Sequence, residues 1–321
     1  MSERIVEIAH PARLSIRDSQ LIIERAEYLP FCTPVSGIQT LLLAHPQITL
    51  TEAVISRLAE EGAMLVTIDS RYLPVSMMLP LQMHALQSER LSAQINFSVV
   101  RRKRVWQQIV REKIRAQGAL LMELHGEDGG LSALARQVRS GDGSNLEARA
   151  ARRYWGLLFG AAEAGNPRFR RGADPLESGP DQNRHLDYGY TVLRAAVARA
   201  ICAAGLHPSV GLHHHNRYDP FCLAADLMEP FRPLVDRRVA QWLRNHEPSA
   251  PFDAAAKQWL IATVTARYRV KGEERALPDI LLRAANSLAA VILGDRKQLE
   301  LSEGLQPCLE DPTSAPTGVC G

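Results

Sequence analysis

Residues 64–95 read MLVTIDSRYLPVSMMLPLQMHALQSERLSAQI, and the character of the chain changes inside them. The first five, MLVTI, are a nearly continuous apolar run of strand length. A turn signal at Asp69-Ser70-Arg71 separates them from a second strand near 73–77. After Pro80 the apolar residues recur at helical spacing instead, beginning with 83–95. The expected organisation is a small β-rich N-terminal domain over 1–80 and a larger all-helical catalytic domain over 81–302. The tail over 303–321, with Pro307, Pro312 and Pro316, reads as disordered. The fold class is α+β.

Upstream of this stretch the signals are mostly those of strands. A short strand is expected at 4–9, and two apolar runs at 14–16 and 21–23 flank the turn Arg17-Asp18-Ser19. Residues 37–43 suit a further strand or a short buried helix. Thr49 and Glu52 fit a capping box opening a helix that runs to about Glu61 and stops at Gly62. Downstream, helices are expected at 99–116, 118–124, 131–139, 145–165, 183–204, 220–244, 251–267 and 277–293, with Pro/Gly/Arg-rich 166–181 as a loop.

At 321 residues the chain is comfortable for two domains, and an apolar share of 46% suffices for packed cores. No apolar run approaches the roughly 20 residues that span a membrane, and the charged start MSERIVEIAH lacks the apolar stretch of a secretory signal. A cytoplasmic protein is therefore expected. The cysteines Cys32, Cys202, Cys222, Cys308 and Cys320 are scattered without a C-x-x-C pair, which argues against a zinc ribbon or a thioredoxin-type site. The net charge of +3 points to no partner, but 101–115, RRKRVWQQIVREKIR, sets seven basic residues against one glutamate, a local +6. Such a block either contacts phosphates or is a solvated helix face.

Three segments of the helical domain carry candidate chemistry. In 145–155, NLEARAARRYW, Glu147 lies on the first turn of a helix, where a carboxylate also complements the helix dipole. In 205–216, GLHPSVGLHHHN, four histidines fall near glycines, and neutral imidazole is a common metal ligand. In 226–236, DLMEPFRPLVD, Asp226 and Glu229 share one helix face, so they repel unless a cation or Arg232 joins them. Two carboxylates and an imidazole suit Mg²⁺ or Mn²⁺ better than a thiol-seeking ion. No P-loop is present and no Ser–His–Asp pattern appears.

These segments resemble the CRISPR-associated adaptation integrase, the Cas-one family. The first fits its Asn-x-Glu-(Gly/Ala)-x-Ala-(Ala)-Arg-x-Tyr-(Trp/Phe) pattern, and the second fits Gly-Leu-x-Pro-x-x-Gly-x-x-His, ending at His214. The third fits Asp-Leu-Met-Glu-x-Phe-Arg-Pro-x-x-Asp without a mismatch, and Asn183 to Tyr190 resembles the start of a helix typical of the family. One departure is His207, where the family more usually has Asp or Asn. The His-His-Asn sequence ending at Asn216, with Pro220-Phe221 after it, is most similar to type II systems.

The resemblance implies metal ligation by Glu147, His214 and Glu229, with Asp226 at an acidic position some relatives use near the metal. It implies direct transesterification, in which the 3′-hydroxyl of a captured DNA fragment attacks a phosphodiester of the CRISPR repeat. It also implies a homodimer joined through the β-rich domain, a small Cas-two dimer as partner, and the type II effector nuclease as a further one. Duplex DNA is expected to meet Arg149, Arg152, Arg153, Arg168, Arg170, Arg171 and Arg217, candidates by charge. The competing expectations are a metal-dependent endonuclease of branched DNA and a non-enzymatic DNA-binding scaffold.

Overall fold

The computed structural model describes residues 4–68, 74–78, 80, 84–159, 169, 171–172, 182–246, 252–301 and 304–308. The chain divides into two units, one running to Gln87 and the other spanning Ser88–Cys308, against an expected boundary near residue 80.

The first unit holds two four-stranded sheets. In one, β1 (Arg4–Ile8) pairs in parallel with β5 (Ile38–Leu43), β5 in parallel with β7 (Met64–Ile68), and β7 antiparallel with β8 (Pro74–Met78). Every residue of β5, IQTLLL, is buried, as suits a strand flanked on both sides. In the other, β2 (Ala12–Arg17) and β3 (Gln20–Glu24) form a hairpin, with β4 (Phe31–Pro34) beyond β3 and β6 (Ile48–Leu50) beyond β2. The hairpin turns on Asp18-Ser19, both at positive φ (50° and 60°), the geometry of a two-residue turn matched to strand twist. Helix α1 (Glu52–Glu60) contacts β2 and β7 and adds Val54 and Leu58 to a core containing Leu14, Leu21, Ile23, Val35, Ile38 and Leu41.

One boundary differs from expectation. Thr49 does not cap α1, because it pairs with Arg13 as part of β6, and the Thr51 amide then bonds the Leu14 carbonyl. The N-cap is Thr51, which makes no side-chain cap bond. Pairing of Ile48–Leu50 as β6 thus moved the helix start two residues along the chain.

The second unit is built on α3 (Val99–His125), 27 residues long. Ser98 caps it by accepting the Arg101 amide, and Gly126 ends it in the left-handed conformation. The expected break before Gly118 is absent. A Cβ there would lie 3.3 Å from the Leu131 Cβ, so the glycine lets α4 (Leu131–Gln137) lie close against an uninterrupted α3. The other described helices are α2 (Gln87–Ile95), α5 (Leu146–Leu158), α6 (Gln182–Ala203), α7 (Cys222–Met228), α8 (Arg232–Asn245), α9 (Ala254–Thr265) and α10 (Leu277–Leu293); α4, α5, α7 and α8 pack on α3, and α9 and α10 pack on α6. Helix α6 passes α8 so closely that a Cβ on Gly189 would meet the Val235 side chain at 2.4 Å.

The helical unit carries one addition, a hairpin of β9 (Arg267–Val270) and β10 (Glu273–Ala276) turning on Lys271-Gly272. Gln306 and Pro307, expected in the tail, pair with Arg269 and Tyr268 as β11 (Gln306–Pro307). The remaining tail, 309–321, lies outside the described residues. No described helix is long and apolar enough to cross a membrane.

Candidate metal centre

Glu147 owes its position to Asp142 in the loop before α5. The two carboxylate oxygens of Asp142 accept the amides of Leu146 and Glu147, each at 2.9 Å, and so do the capping that Asn145 does not. Both Asp142 and Asn145 sit at positive φ, 48° and 52°, where short polar side chains are favoured. The chain thus enters α5 with Glu147 on its first turn, aimed at α3.

Glu229 sits where α7 gives way to a single 3₁₀ turn, Glu229–Phe231, before α8. Pro230 and Pro233 prevent an uninterrupted helix at this join, since each lacks an amide hydrogen. The Glu229 side chain is buried, and its Oε1 lies 2.9 Å from Arg232 Nε. Its Oε2 lies 2.5 Å from Lys113 Nζ, on α3, and the same Nζ is 2.6 Å from Glu147 Oε1. One ammonium therefore joins carboxylates that stand 82 residues apart (229 less 147).

Electrostatics decide the charge state of this cluster. Burial pushes the Glu229 carboxyl up, but Arg232 and then Lys113 overcome it and hold the group below the ordinary carboxylate range. Burial pulls the Lys113 ammonium down, and Glu229 and Glu147 overcome that, raising it above its usual value. Glu229 and Lys113 therefore stay ionised near neutrality.

His214 is delivered by the loop between α6 and α7, and Asp226 shapes that loop. The fully buried Asp226 carboxylate accepts the amides of Leu212 (2.6 Å), His213 (3.0 Å) and His214 (3.2 Å), and its Oδ1 meets His214 Nδ1 at 2.6 Å. The loop bends this tightly because residue 211 is glycine; a Cβ there would lie 2.3 Å from the His214 carbonyl oxygen. The bond from Nδ1 to Asp226 is the main cause of a raised His214 pKa, and it leaves Nε2 as the nitrogen available to a ligand. The neighbouring histidine is used differently: His213 stacks flat on Trp106 of α3, ring centroids 4.2 Å apart, with His214 edge-on to the same indole.

Glu229 and Glu147 both contribute to the raised pKa of His214, which places the three expected ligands in one locality. Among the described residues no three His, Cys, Asp or Glu side chains converge as a metal-holding group. The donor chemistry nevertheless fits a hard divalent ion, with two carboxylates already gathered around positive charge and an imidazole fixed by a carboxylate behind it. Asp226 stands behind His214, its oxygens occupied by the loop.

Behind this cluster the first and third motif segments meet again, joined by Tyr190 of α6. The Tyr154 hydroxyl donates to Asp236 Oδ2 at 2.7 Å, and the Tyr190 hydroxyl donates to Asp236 Oδ1. Burial pushes the Asp236 carboxyl up to about 6 against the pull of both hydroxyls. The Arg232 guanidinium lies over the Tyr190 ring, 4.6 Å from its centroid, and so connects this network to Glu229.

Of the expected DNA contacts, Arg149, Arg152 and Arg153 are exposed on α5, and Arg217 is exposed beside Tyr218. Arg171 is tied to Asn183 and Asp187 at 3.1 and 2.5 Å. Arg168 and Arg170 lie outside the described residues. The 101–115 block lines a groove of about 820 Å³ with the segment after α10; Arg101, Arg104, Arg111, Arg115, Arg296 and Lys297 supply its positive charge. At about 100° per residue, Arg104, Arg111 and Arg115 fall on the side of α3 opposite Lys113. Sequence reasoning missed Lys113 and Asp142. A lysine inside a basic helix carries no distinguishing signal, whereas an Asp just ahead of a helix start is a recognised capping cue.

The family model described as CRISPR associated protein Cas1 matches residues 7–268. A CRISPR-associated endonuclease Cas1 of Neisseria meningitidis serogroup C (strain 8013) is 33% identical over 307 residues, covering 94% of this chain and 97% of the relative. Among solved structures, a casposase bound to its integration product is similar at a TM-score of 0.76 and 20% identity, covering 95% of this chain and 94% of that one. A Cas6-RT-Cas1–Cas2 complex is similar at 0.71 and 19% identity, covering 95% of this chain and 36% of that one. At these identities the two structures speak for the fold, a β-rich beginning followed by a helical body. With most of its length matched by the family model and by a full-length relative, the chain belongs to the family of CRISPR associated protein Cas1.

Proposed function

We propose that this Cas1 protein is a divalent-metal-dependent DNA integrase of CRISPR adaptation, with Glu147, His214 and Glu229 as ligands of Mg²⁺ or Mn²⁺. The observation that carries the reading is the shared cation: carboxylates from two separate motif segments meet on one ammonium, beside a histidine from the third. A bound ion would make the attacking hydroxyl more acidic and draw charge from the phosphate as it becomes five-coordinate.

The protein's own groups prepare that chemistry. Asp142 sets the first turn of α5 and with it Glu147. Arg232 fixes Glu229 through Oε1, and Asp226 holds His214 by Nδ1, so the imidazole arrives already oriented. No side chain supplies a covalent nucleophile; the 3′-hydroxyl of the captured fragment attacks a repeat phosphodiester directly. The exposed arginines 149, 152, 153 and 217 and the basic groove hold the phosphate backbones. The β-rich unit joins two copies, and a Cas2 dimer is the partner; support for that partner comes from the similar chain that sits in a complex with Cas2.

The test is a plasmid carrying the repeat, mixed with a labelled fragment bearing a free 3′-hydroxyl, with and without Cas2. Joined product from the parent protein, lost in Glu147→Ala and His214→Ala proteins that remain folded, is expected; full joining by either variant would overturn the assignment. The second reading, an endonuclease using water, is favoured by the name of the Neisseria relative. It predicts cut but unjoined DNA in the same assay.

A further inference from the structure

Lys113 is the group in the cluster that the reading above leaves without a role. Its Nζ is shared between Glu147 Oε1 and Glu229 Oε2 at 2.6 and 2.5 Å, and its side chain is only 12% exposed. Without it, a buried and a partly exposed carboxylate would lose the positive charge they share, an arrangement that like charges disfavour.

The two cations of the cluster are not equivalent. Arg232 takes Oε1 of Glu229 and also stacks over Tyr190, so it is held from two sides. Lys113 takes the other oxygen, Oε2, and its further partner in the cluster is Glu147. A guanidinium is a rigid planar fork, whereas an ammonium is a point charge on a flexible stem. Charge is also balanced: Glu147 and Glu229 against Lys113 and Arg232. A divalent ion added to this neutral set would find no net negative charge to hold it, unless one resident cation leaves.

We infer that Lys113 is a displaceable counter-cation: its ammonium pairs Glu147 with Glu229 until a divalent ion takes its place. The inference rests on the metal reading proposed above and gives Lys113 a positioning role. It keeps the two carboxylates gathered in the protein before the ion arrives, and it sets the affinity for the ion by competing for the same oxygens.

The experiment titrates Mn²⁺ into the parent protein, Lys113→Met and Lys113→Arg. Free Mn²⁺ is read by electron paramagnetic resonance, alongside thermal unfolding with and without the ion. Lys113→Met is expected to bind Mn²⁺ tighter by about tenfold or more. It should unfold at a lower temperature than the parent without Mn²⁺ and gain more than the parent from saturating Mn²⁺. Lys113→Arg should restore stability without the ion but not the gain in affinity. Equal Mn²⁺ affinities, with a loss of unfolding temperature that Mn²⁺ does not narrow, would reduce Lys113 to an ordinary structural ion pair and overturn the inference.

Should Lys113→Met fail to fold, acylation of Lys113 in the parent, followed by peptide mass spectrometry, decides the matter. Faster modification in Mn²⁺ supports displacement, and unchanged protection overturns it. Failure of the parent and Lys113→Met alike to bind Mn²⁺ would overturn the metal centre itself, a different result from equal binding by both.

Discussion

Tyr154 and Asp236, 82 residues apart, form a buried hydrogen bond of 2.7 Å that joins the first motif segment to the end of the third. Tyr190 bonds the other oxygen of the same carboxylate, so α5, α6 and α8 converge on one side chain. Tyr154→Phe removes a donor to a buried carboxylate and is expected to cost about 1–3 kcal/mol. Urea unfolding of the two proteins measures it, and a difference within error would show that Tyr190 suffices alone.

The same carboxylate has a pH signature. Burial raises Asp236 from 3.8 to about 6, so between those values the folded protein binds a proton that the unfolded chain does not. Its contribution to stability is therefore greatest at low pH and declines as pH rises from about 4 to about 6, by on the order of 3 kcal/mol at 1.36 per unit. Asp236→Asn cannot titrate. Its stability relative to the parent should improve across that window and level off above it, measured by denaturant unfolding at several pH values. A constant difference would mean that Asp236 titrates normally.

Asp226→Asn keeps the shape of the side chain but loses the charge that four donors share. Strand transfer is expected to fall by about 10–100-fold, the usual cost of losing the carboxylate behind a metal-bound histidine. Hydrogen exchange at the amides of 212–214 should rise in parallel. Reduced activity with unchanged exchange would separate the orientation of His214 from the shape of its loop.

Gly189 is required by space. Gly189→Ala places a methyl group against Val235, and overpacking of this kind is expected to cost about 1–3 kcal/mol. Pairing it with Val235→Ala should relieve part of that loss, so that the double variant is more stable than the sum of the two singles predicts. Strict additivity would mean that the helices simply move apart.

The basic groove makes a prediction about salt. If Arg104 and Lys297 meet DNA phosphates, replacing both by alanine should lower the slope of log affinity against log salt by about 2 for duplex DNA. Mn²⁺ affinity should not change. An unchanged slope would leave the groove as a solvated face.

The β-rich beginning and helical body were legible because period-two and period-3.6 patterns are written locally, as in MLVTI and the run after Pro80. The limits of reading lay where distant pairing overrides a local signal. Thr49 carried a capping pattern but was recruited into β6 by Arg13, far back in the chain. Gly118 resembled a helix break but is a point of contact with α4. The β9–β10 hairpin escaped because its strands are four residues long and highly charged, with Tyr268 buried between exposed neighbours. In the candidate site, Glu147, His214 and Glu229 were named from the resemblance of their segments to the Cas-one family. Lys113, which joins two of them, lies in neither motif and is recognisable only once α3 is folded against α5 and the 3₁₀ turn.

The loop that presents His214 is held by its main chain. Asp226 reads three consecutive amides, a feature every residue but proline possesses, and asks nothing of the side chains at 212 and 213. Those three bonds would survive a change of side chain at 212 or 213, where the cost would lie instead in the burial of Leu212 and the stack of His213 on Trp106. The position of the His214 main chain is thus written in backbone geometry, as an address that Gly211 and Asp226 specify between them.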